Sequence, residues 1–328
     1  MPENIIEVKN LEHTYGDFKA VDDVCFSVRR GEIFAFLGPN GAGKSTVINI
    51  LITLLPLQSG GVRIAGYDLD TQPEEIRRSI GVVFQDETLD RDLTVWETLE
   101  FHGRLYSLPK TLRRERIDEM IHLVELEEKR DTRTRHLSGG MKRRLEIARG
   151  LMTEPKVLFL DEPTLGLDTQ TRIRLWDYIK RVNDSGTTIF LTTHYMDEAD
   201  LVSDWIDIID HGKIITSGTP AKLKNDLGQD MIYLETSDDE AAAAMLRVLK
   251  VIKDVKRTSK GLVITITADG SHCLPVIMGR LKDQGLSITA VNLKKPTLDD
   301  VFVHYTGREL RDVGAGRMTS RMFGRGTK

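Results

Sequence analysis

The sequence predicts an α/β protein with a mainly parallel sheet, followed by a smaller domain of mixed α+β structure. Apolar runs at residues 33–37 and 157–160 have the composition of buried strands, and segments of helical spacing separate them. Such alternation is typical of a parallel sheet covered by helices. After residues 218–220 the order becomes strand, helix, strand, strand, helix, strand, which is that of a ferredoxin-like domain.

The predicted domains are residues 1–225 and 226–310, followed by a flexible basic tail at 311–328. In the first domain we predict, in chain order, strands at 24–28, 33–37, 62–64 and 80–84, two helices within 94–127 separated by Pro109, a helix at 138–152, a strand at 157–160, a helix at 169–183, and strands at 187–192, 205–210 and 213–216. In the second we predict strands at 231–236, 252–258, 261–267 and 286–294 and helices at 238–250, 271–284 and 297–305.

Composition sets broad limits on function. With 328 residues and 40% hydrophobic content, the chain can bury a large core, and a net charge of −4 gives no reason to expect nucleic acid as a partner. We expect Cys25 and Cys273 to be reduced core residues. We expect no signal peptide and no membrane span, since no window approaches about 18 apolar residues. If the protein acts at a membrane, we therefore expect it to do so through a partner.

Residues 38–46 form a glycine-rich loop between a predicted strand and a predicted helix. The loop fits the phosphate-loop template and reads Gly38, Pro39, Asn40, Gly41, Ala42, Gly43, Lys44, Ser45 and Thr46. Amides at a helix N-terminus attract phosphate, and the glycines let the backbone curl around it. Lys44 would reach the outer phosphates of a nucleotide, and Ser45 would ligate Mg²⁺. The alternative is a glycine-rich turn with a chance lysine, and the loop by itself does not separate kinases, GTPases, helicases and transport motors.

An acidic pair follows the predicted strand at 157–160. Asp161 would lie near the magnesium ion, and Glu162 would orient a water molecule for attack on the outer phosphorus. A buried glutamate near anionic phosphates is expected to have a raised pKa, which suits a base. The alternative is an acidic turn after a core strand.

Further motifs extend this pattern. Residues 137–141 read Leu-Ser-Gly-Gly-Met and begin a helix, residues 166–168 read Gly-Leu-Asp, and residues 192–194 read Thr-Thr-His. In this order and spacing, the motifs at about residues 4–220 resemble the ATP-binding-cassette (ABC) family. Met141 replaces the commonest glutamine of that family, and Leu165-Gly166 replaces the frequent Ser-Ala.

The resemblance implies a P-loop NTPase fold with an antiparallel β subdomain and a helical subdomain at about 86–150. It implies ATP and Mg²⁺ as ligands and a hydrolytic site. By position, the family's roles fall on Gln85 (magnesium and attacking water), His194 (outer phosphate), Tyr15 (adenine stacking), Asp168 (interface loop) and Ser138, Gly139 and Gly140 (capping the ATP held by another copy of the chain). For Tyr15, a core or loop position is an open alternative.

The C-terminal sequence narrows the resemblance. Residues 296–310 resemble the end of the daunorubicin/doxorubicin-resistance ATPase group of ABC-2 type multidrug exporters. This implies a head-to-tail homodimer on the cytoplasmic face of the membrane, working with a separate permease and without nucleic acid. The long coiled coils of DNA-repair ABC ATPases and the second cassette of translation factors are missing from the sequence. A cassette acting on nucleic acid or ribosomes stays as the alternative function.

Two surfaces are candidates for partner contacts. Within 86–106, the candidates for contact with the permease are Asp86, Glu87, Leu89, Trp96 and Phe101, and the alternative is that Trp96 and Phe101 are core. In the last predicted helix, Leu298, Val301, Phe302 and Tyr305 share one face, which either packs on its own domain or takes part in pairing.

Overall fold

The structure, a computed structural model, describes residues 3–258 and 261–306, so the predicted tail at 311–328 lies outside the described residues. The chain divides into two compact units between Ser217 and Gly218. Within the described ranges, no helix combines the length and the apolar character that crossing a bilayer requires.

The first unit contains two sheets and a group of helices. Its elements are, in chain order, β1 (Asn4–Tyr15), β2 (Phe18–Arg29), β3 (Ile33–Leu37), α1 (Lys44–Leu51), β4 (Ser59–Ile64), β5 (Tyr67–Asp68), α2 (Pro73–Ser79), β6 (Ile80–Val83), α3 (Val95–Leu105), α4 (Lys110–Leu123), α5 (Gly139–Leu151), β7 (Val157–Asp161), α6 (Thr169–Asp184), β8 (Thr188–Thr193), α7 (Met196–Val202), β9 (Trp205–Asp210) and β10 (Lys213–Gly218). The short helices α2 and α7 were not predicted from the sequence.

The central sheet confirms the predicted parallel core. Its strand order is β10-β9-β3-β8-β7-β6, and β3 pairs in parallel with both β8 and β9. In this register Leu37 pairs with Thr193, and Asp161 pairs with Thr192. The segments that follow β3, β7 and β8 therefore leave the sheet at one edge, which is where parallel sheets place their ligands.

The second sheet is antiparallel, in the order β2-β1-β4-β5. The strand predicted at 24–28 is too short, because β2 has 12 residues, and the bounds of β1, which is equally long, were not predicted. Register shifts interrupt β1, for example between Val8 and Leu11. These irregularities break the alternation of buried and exposed residues on which a strand prediction depends.

Local capping sequences define the helical subdomain. Thr94 caps α3 by accepting a hydrogen bond from the Glu97 amide, while the Glu97 carboxylate accepts one from the Thr94 amide. Pro109 lies directly before α4, as predicted, because its fixed φ suits the start of a helix.

The core of the first unit centres on a group of phenylalanines. The ring centroid of Phe190 lies 5.3 Å from that of Phe34 and 5.2 Å from that of Phe159. Since these rings belong to the adjacent strands β3, β7 and β8, they fix the relative positions of the three strand ends that carry the motifs.

Cysteine placement agrees with the prediction at one position only. Cys273 is buried, whereas Cys25 is exposed, so the predicted core position of Cys25 is wrong. Cys25 follows the buried Val24 in β2, and alternation along the strand turns its side chain outward.

The second unit is a four-stranded antiparallel sheet with helices. Its elements are α8 (Pro220–Leu227), β11 (Asp230–Thr236), α9 (Asp239–Leu246), β12 (Ile252–Thr258), β13 (Gly261–Ile266), α10 (Gly270–Asp283), β14 (Ile288–Lys294) and α11 (Leu298–Thr306). The strand order β12-β13-β11-β14 confirms the predicted ferredoxin-like topology. The position predicted for the domain boundary, 225/226, lies inside α8.

Helix α11 buries most of its apolar face. Leu298, Val301 and Phe302 are buried, while Tyr305 is 49% exposed. The Tyr233 hydroxyl donates to the carboxylate of Asp300 at 2.5 Å, which ties α11 to β11. For the three buried residues the packing alternative holds, and only Tyr305 stays available to a partner.

A candidate nucleotide site at the edge of the parallel sheet

The glycine-rich loop follows β3 and curls tightly before α1. A Cβ atom at Gly38 would lie 2.3 Å from the carbonyl oxygen of Ile209, and one at Gly43 would lie 2.6 Å from that of Ala20. Gly43 also has φ +111°, in the left-handed region that favours glycine. The loop backbone therefore lies directly against β2 and β9, which leaves its outer side to a ligand.

The start of α1 has no side-chain cap. Gly43 occupies the N-cap position, so the first amides of the helix have no intrahelical acceptor. Around this helix start, Asn40, Gly41 and Ser45 are exposed, Thr46 is half-buried, and Pro39 and Ala42 are buried. The exposed backbone and the Ser45 hydroxyl suit the binding of a phosphate group, as the sequence predicts.

Lys44 is held inside the loop. Its side chain is 4% exposed, and its ammonium donates to the carbonyl oxygens of Gly38 at 2.7 Å and Pro39 at 3.2 Å. The ammonium also lies 3.5 Å from a carboxylate oxygen of Glu162. Burial lowers the pKa of Lys44, against the opposing charge of Glu162. The structure thus brings the loop and the acidic pair together.

The end of β7 presents the two carboxylates differently. Asp161 is buried and accepts a hydrogen bond from the Thr192 hydroxyl on β8. Burial raises the pKa of Asp161. Glu162 has φ +44°, in the left-handed region that is rare for side chains other than glycine, and its amide donates to the Thr192 carbonyl oxygen at 3.1 Å. The chain therefore leaves the direction of β7 at Glu162.

Glu162 lies between two nitrogen-bearing side chains. One of its carboxylate oxygens is 3.5 Å from the Lys44 ammonium, and the other is 3.1 Å from Nδ1 of His194. Burial raises the pKa of Glu162, but the His194 and Lys44 contacts outweigh it and hold the pKa below its ordinary value. The rise expected from the sequence is therefore wrong, because the motif alone does not show these two neighbours.

The available ligand atoms suit magnesium better than a metal ion that is held by protein side chains alone. In residues 3–258 and 261–306, no cluster of three or more His, Cys, Asp or Glu side chains could hold a metal ion. A hydroxyl from Ser45 and a carboxylate from Asp161 match Mg²⁺, which completes its shell with water and substrate phosphates. Gln85 is exposed two positions after the end of β6 at Val83 and is the third candidate ligand.

The serine-glycine motif forms a second, open helix N-terminus. Ser138 caps α5 by accepting a hydrogen bond from the Met141 amide at 3.3 Å. Ser138 and Gly139 are exposed, and a Cβ atom on Gly139 would meet nothing within 4 Å. There is less space around Gly140, because a Cβ atom added there would lie 2.3 Å from the Thr171 side chain. In the part of the chain that the structure describes, no hydrogen bond or ion pair joins residues 138–140 to the loop at 38–46.

The remaining predicted site residues have defined local positions. Asp168 caps α6, with its carboxylate accepting from the Thr171 amide at 3.0 Å and from the Thr171 hydroxyl at 2.6 Å. These bonds lower the pKa of Asp168. Tyr15 ends β1 and is 50% exposed, with its ring 4.8 Å from the buried His13 ring. This half-exposed position is compatible with stacking on adenine, which stays a prediction.

Comparison with known proteins assigns the family. Residues 21–165 match the family model described as ABC transporter, and residues 218–306 match the one described as ATP-binding protein DrrA1-3-like, C-terminal domain. The chain is 38% identical over 314 residues to Daunorubicin resistance ATP-binding protein DrrA3 of Streptomyces coeruleorubidus, with 95% of this chain and 98% of that protein covered. This chain belongs to the ABC transporter ATP-binding proteins. Members of the family bind and hydrolyse ATP, and this chain is an ATPase of that type.

Other relatives of this ABC ATPase cover most of its length. It is 39% identical over 308 residues to Doxorubicin resistance ATP-binding protein DrrA of Mycobacterium tuberculosis (strain ATCC 25618 / H37Rv), covering 92% of this chain and 93% of that protein. It is 35% identical over 313 residues to Linearmycin resistance ATP-binding protein LnrL of Bacillus subtilis (strain 168), covering 94% of this chain and 100% of that protein.

Solved structures are similar to the cassette part of the chain. One is cbiO1 from Clostridium perfringens, part of the ABC transporter complex cbiONQ, with a TM-score of 0.64, 32% identity and coverage of 67% of this chain and 90% of that chain. Another is the dimeric post-hydrolysis state of the ATP-binding cassette MJ0796 bound to ADP and Pi, with a TM-score of 0.58, 29% identity and coverage of 65% and 98%.

Two buried charged residues beside the candidate site were missed by the sequence analysis. Glu198 on α7 is buried and accepts a hydrogen bond from the Thr164 hydroxyl at 2.7 Å, so it ties α7 to the segment that follows the acidic pair. Arg143 on α5 is buried beside the same segment and donates to the carbonyl oxygen of Pro163 at 2.7 Å. Both stand in charged runs of sequence, at 197–200 and 142–144, which are ordinarily solvated, so no sequence signal separated them from surface residues.

A cavity of about 350 Å³ lies in the first unit, with walls that include Phe84, Thr88, His102 and Arg149. Burial, helped by the charge of Arg149, lowers the pKa of His102 to about 4. Of the predicted contact residues near this region, Phe101 is 56% exposed and Leu89 is buried. The exposed position of Phe101 favours the partner-contact alternative, whereas Leu89 belongs to the core.

Proposed function

We propose that this ABC ATPase powers the export of a drug-like small molecule through a separate ABC-2 type membrane permease. The observation that carries the proposal is the match along 95% of the chain to a daunorubicin resistance ATP-binding protein, which includes the C-terminal domain as well as the cassette. Relatives of comparable identity carry names that refer to doxorubicin, linearmycin and Nod factor. This range supports a cargo chosen by the permease rather than by the ATPase.

The proposed working form is a head-to-tail homodimer that holds ATP between its subunits. The open N-terminus of α5 supports this arrangement, because Ser138 and Gly139 are exposed and Gly139 has free space around its Cβ position. A helix N-terminus with a hydroxyl and glycines suits phosphate oxygens. The related cassette MJ0796 is described as dimeric with ADP and Pi.

Within each site, the protein would bind phosphates and hold the attacking water. The amides at the start of α1 and the Lys44 ammonium would bind the outer phosphates. Glu162, with its pKa held low, is ionised at neutral pH and can accept a proton from a water molecule. His194, 3.1 Å from Glu162, would fix the carboxylate and contact the outer phosphate.

Magnesium would be held by Ser45, Asp161 and Gln85. When bound, the ion offsets phosphate charge and orients the phosphate oxygens. Asp161 is prepared for this role by its hydrogen bond from Thr192, which fixes one carboxylate oxygen at the end of the strand. Its pKa, raised by burial, would fall beside a divalent cation.

The permease would dock on the first unit from the cytoplasmic face of the membrane. The cavity beside Thr88 and His102 and the exposed ring of Phe101 are the proposed contact surface. An exposed aromatic side chain on α3, the helix whose His102 lines a recess of about 350 Å³, suits a short helix of a membrane protein.

The export proposal can be tested by doxorubicin accumulation in cells, followed by its fluorescence. Cells that express the chain together with the membrane protein encoded next to it should accumulate less doxorubicin than cells that express the same membrane protein with the Glu162→Gln chain. Glu154→Gln, a change at an exposed glutamate, should behave as wild type. Equal accumulation with wild type and Glu162→Gln would contradict ATP-driven export of doxorubicin.

The dimer proposal is tested by light scattering of the Glu162→Gln chain. With Mg²⁺ and ATP, the mass should double from that of one chain of 37.0 kDa, since ATP stays bound when hydrolysis is blocked. The same chain with ADP should stay monomeric. A monomer at saturating ATP would contradict the proposal.

A further inference from the structure

Arg143 on α5 makes an unusually complete set of contacts beside the hydrolytic site. The side chain is 8% exposed, and each of its five N–H groups has an acceptor. The acceptors are the carbonyl oxygens of Phe84, Asp161, Glu162 and Pro163 and the carboxylate of Glu146. One side chain therefore joins the backbone just before Gln85 to the backbone of the acidic pair.

The partner Glu146 carries the connection further. One of its oxygens lies 2.8 Å from Arg143, and the other accepts the Thr88 amide at 2.9 Å. Arg149, also on α5, donates to the Thr88 hydroxyl at 2.6 Å and to its carbonyl oxygen at 3.1 Å. Thr88 and Arg149 form part of the wall of the cavity, so the network runs from the cavity to the carboxylates.

The energetics point to a role other than stability. Arg143 and Glu146 are a buried ion pair, with side chains 8% and 2% exposed. Removing two charges from water is unfavourable enough that such a pair adds little net stability over an apolar replacement. What a planar guanidinium supplies is fixed geometry, since its five donors hold several acceptors in one arrangement.

We propose that Arg143 is a positioning residue for ATP hydrolysis, and that Glu146 links it to Thr88. Arg143 sets the backbone at Asp161 and Glu162 and, through Phe84, the start of the Gln85 segment. A displacement at the cavity would reach the carboxylates through Glu146. This inference rests on the proposed function of the site and adds to it a residue that holds the site in its working geometry.

The test is Arg143→Lys, which keeps the charge and provides three donors instead of five. We expect kcat to fall by about tenfold or more with the Kd for ATP changed by less than about threefold, because the carboxylates shift while the loop at 38–46 stays intact. The Mg²⁺ concentration for half-maximal activity should also rise. Arg144→Lys is the matched control, since Arg144 is the next residue and donates to Val124 and Tyr178, away from the site.

The outcomes separate this inference from the proposed function. If Arg143→Lys and Arg144→Lys have equal kcat and equal Mg²⁺ dependence, the positioning role is overturned. If Arg143→Lys does not fold, Glu146→Gln takes its place, and an unchanged kcat there overturns the role as well. Lys44→Ala is run in parallel: normal hydrolysis by that chain would overturn the nucleotide site itself, whichever way Arg143 behaves.

Discussion

Two helix N-termini of the first unit, those of α1 and α5, both contain glycines and a serine but have opposite surroundings. At α1, Gly43 packs against the Ala20 carbonyl and the Lys44 side chain is enclosed. At α5, Ser138 and Gly139 are exposed, and the space around Gly139 is open. Both ends offer amides to an anion, but the lysines beside them differ: the buried Lys44 ammonium at α1 lies 3.5 Å from a Glu162 carboxylate oxygen, whereas Lys142 in the first turn of α5 pairs with Glu87 at 3.0 Å.

We interpret the difference as one nearly complete site and one partial site. The enclosed end would bind phosphate and hold the attacking water with groups already in contact. The open end has a receptor without a reactive group, which is what a cap for another copy's nucleotide requires. Variants at the two ends should therefore differ in kind, with losses of chemistry or folding at α1 and losses of activity alone at α5.

The largest effect should come from removing the enclosed lysine. Lys44→Ala should lower ATP hydrolysis by about 10³-fold, because a positive charge in a water-excluded site stabilises the charge of the transferred phosphoryl group. Phosphate release measures this directly. The control is Lys156→Ala, since Lys156 is exposed and lies over the Tyr67 ring away from the loop. If Lys44→Ala hydrolysed ATP at the rate of the control, the role assigned to Lys44 at the enclosed end would be contradicted.

At the open end, a bulky residue should block activity without unfolding the chain. Gly139→Tyr is expected to lower hydrolysis by about 10- to 100-fold, because a ring at this position would occupy the space meant for a second copy. Its urea midpoint should match that of wild type, since a Cβ at Gly139 meets nothing within 4 Å. Full activity in this variant would show that α5 does not cap a nucleotide.

A matched pair of alanine substitutions compares the two ends in stability. Gly43→Ala should reduce the free energy of unfolding by about 2 to 4 kcal/mol, because φ is +111° and the new Cβ would lie 2.6 Å from the Ala20 carbonyl oxygen. Gly139→Ala should change it by less than about 1 kcal/mol, and in the stabilising direction, since alanine favours helix. Urea titrations measure the free energy of unfolding of both variants. Similar losses in the two would contradict the expected difference between the enclosed and the open helix end.

The smallest effect on ATP hydrolysis is expected at Asp207 on β9, where a substitution should instead change the pH dependence of stability. Burial raises the pKa of Asp207 to about 6, and the Trp205 ring nitrogen donates to it at 3.0 Å. The unfolded chain ionises this group from about pH 4, so the folded state loses stability as pH rises from about 4 to 6, and the loss persists above. Asp207→Asn should therefore add up to about 3 kcal/mol at pH 7 and little at pH 4.

Urea titrations of wild type and Asp207→Asn at the two pH values check this. ATP hydrolysis at pH 7 should be equal in the two chains, which separates stability from chemistry. A difference in unfolding free energy that is the same at pH 4 and pH 7 would show that the Asp207 carboxylate is not responsible.

Motifs that carry chemistry at fixed spacing could be predicted from the sequence. The loop at 38–46 and the strand ends at Asp161 and His194 are local patterns, so the sequence contains them in full. The low pKa of Glu162 was not predictable, because it depends on two side chains from other strands or helices that only the fold brings near. Arg143 was missed for the same reason, since a run of basic residues does not show which one turns inward.

The most direct test of the central claim is a mixing experiment with two inactive chains. The Lys44→Ala chain has a defective α1 end and an intact α5 end, and the Gly139→Tyr chain has the reverse. In a mixed pair, one of the two sites therefore combines the intact α1 end of the Gly139→Tyr chain with the intact α5 end of the Lys44→Ala chain. The account predicts that each chain alone is nearly inactive and that the mixture regains a substantial part of wild-type ATP hydrolysis. A mixture no more active than the sum of its two components would contradict a nucleotide shared between copies.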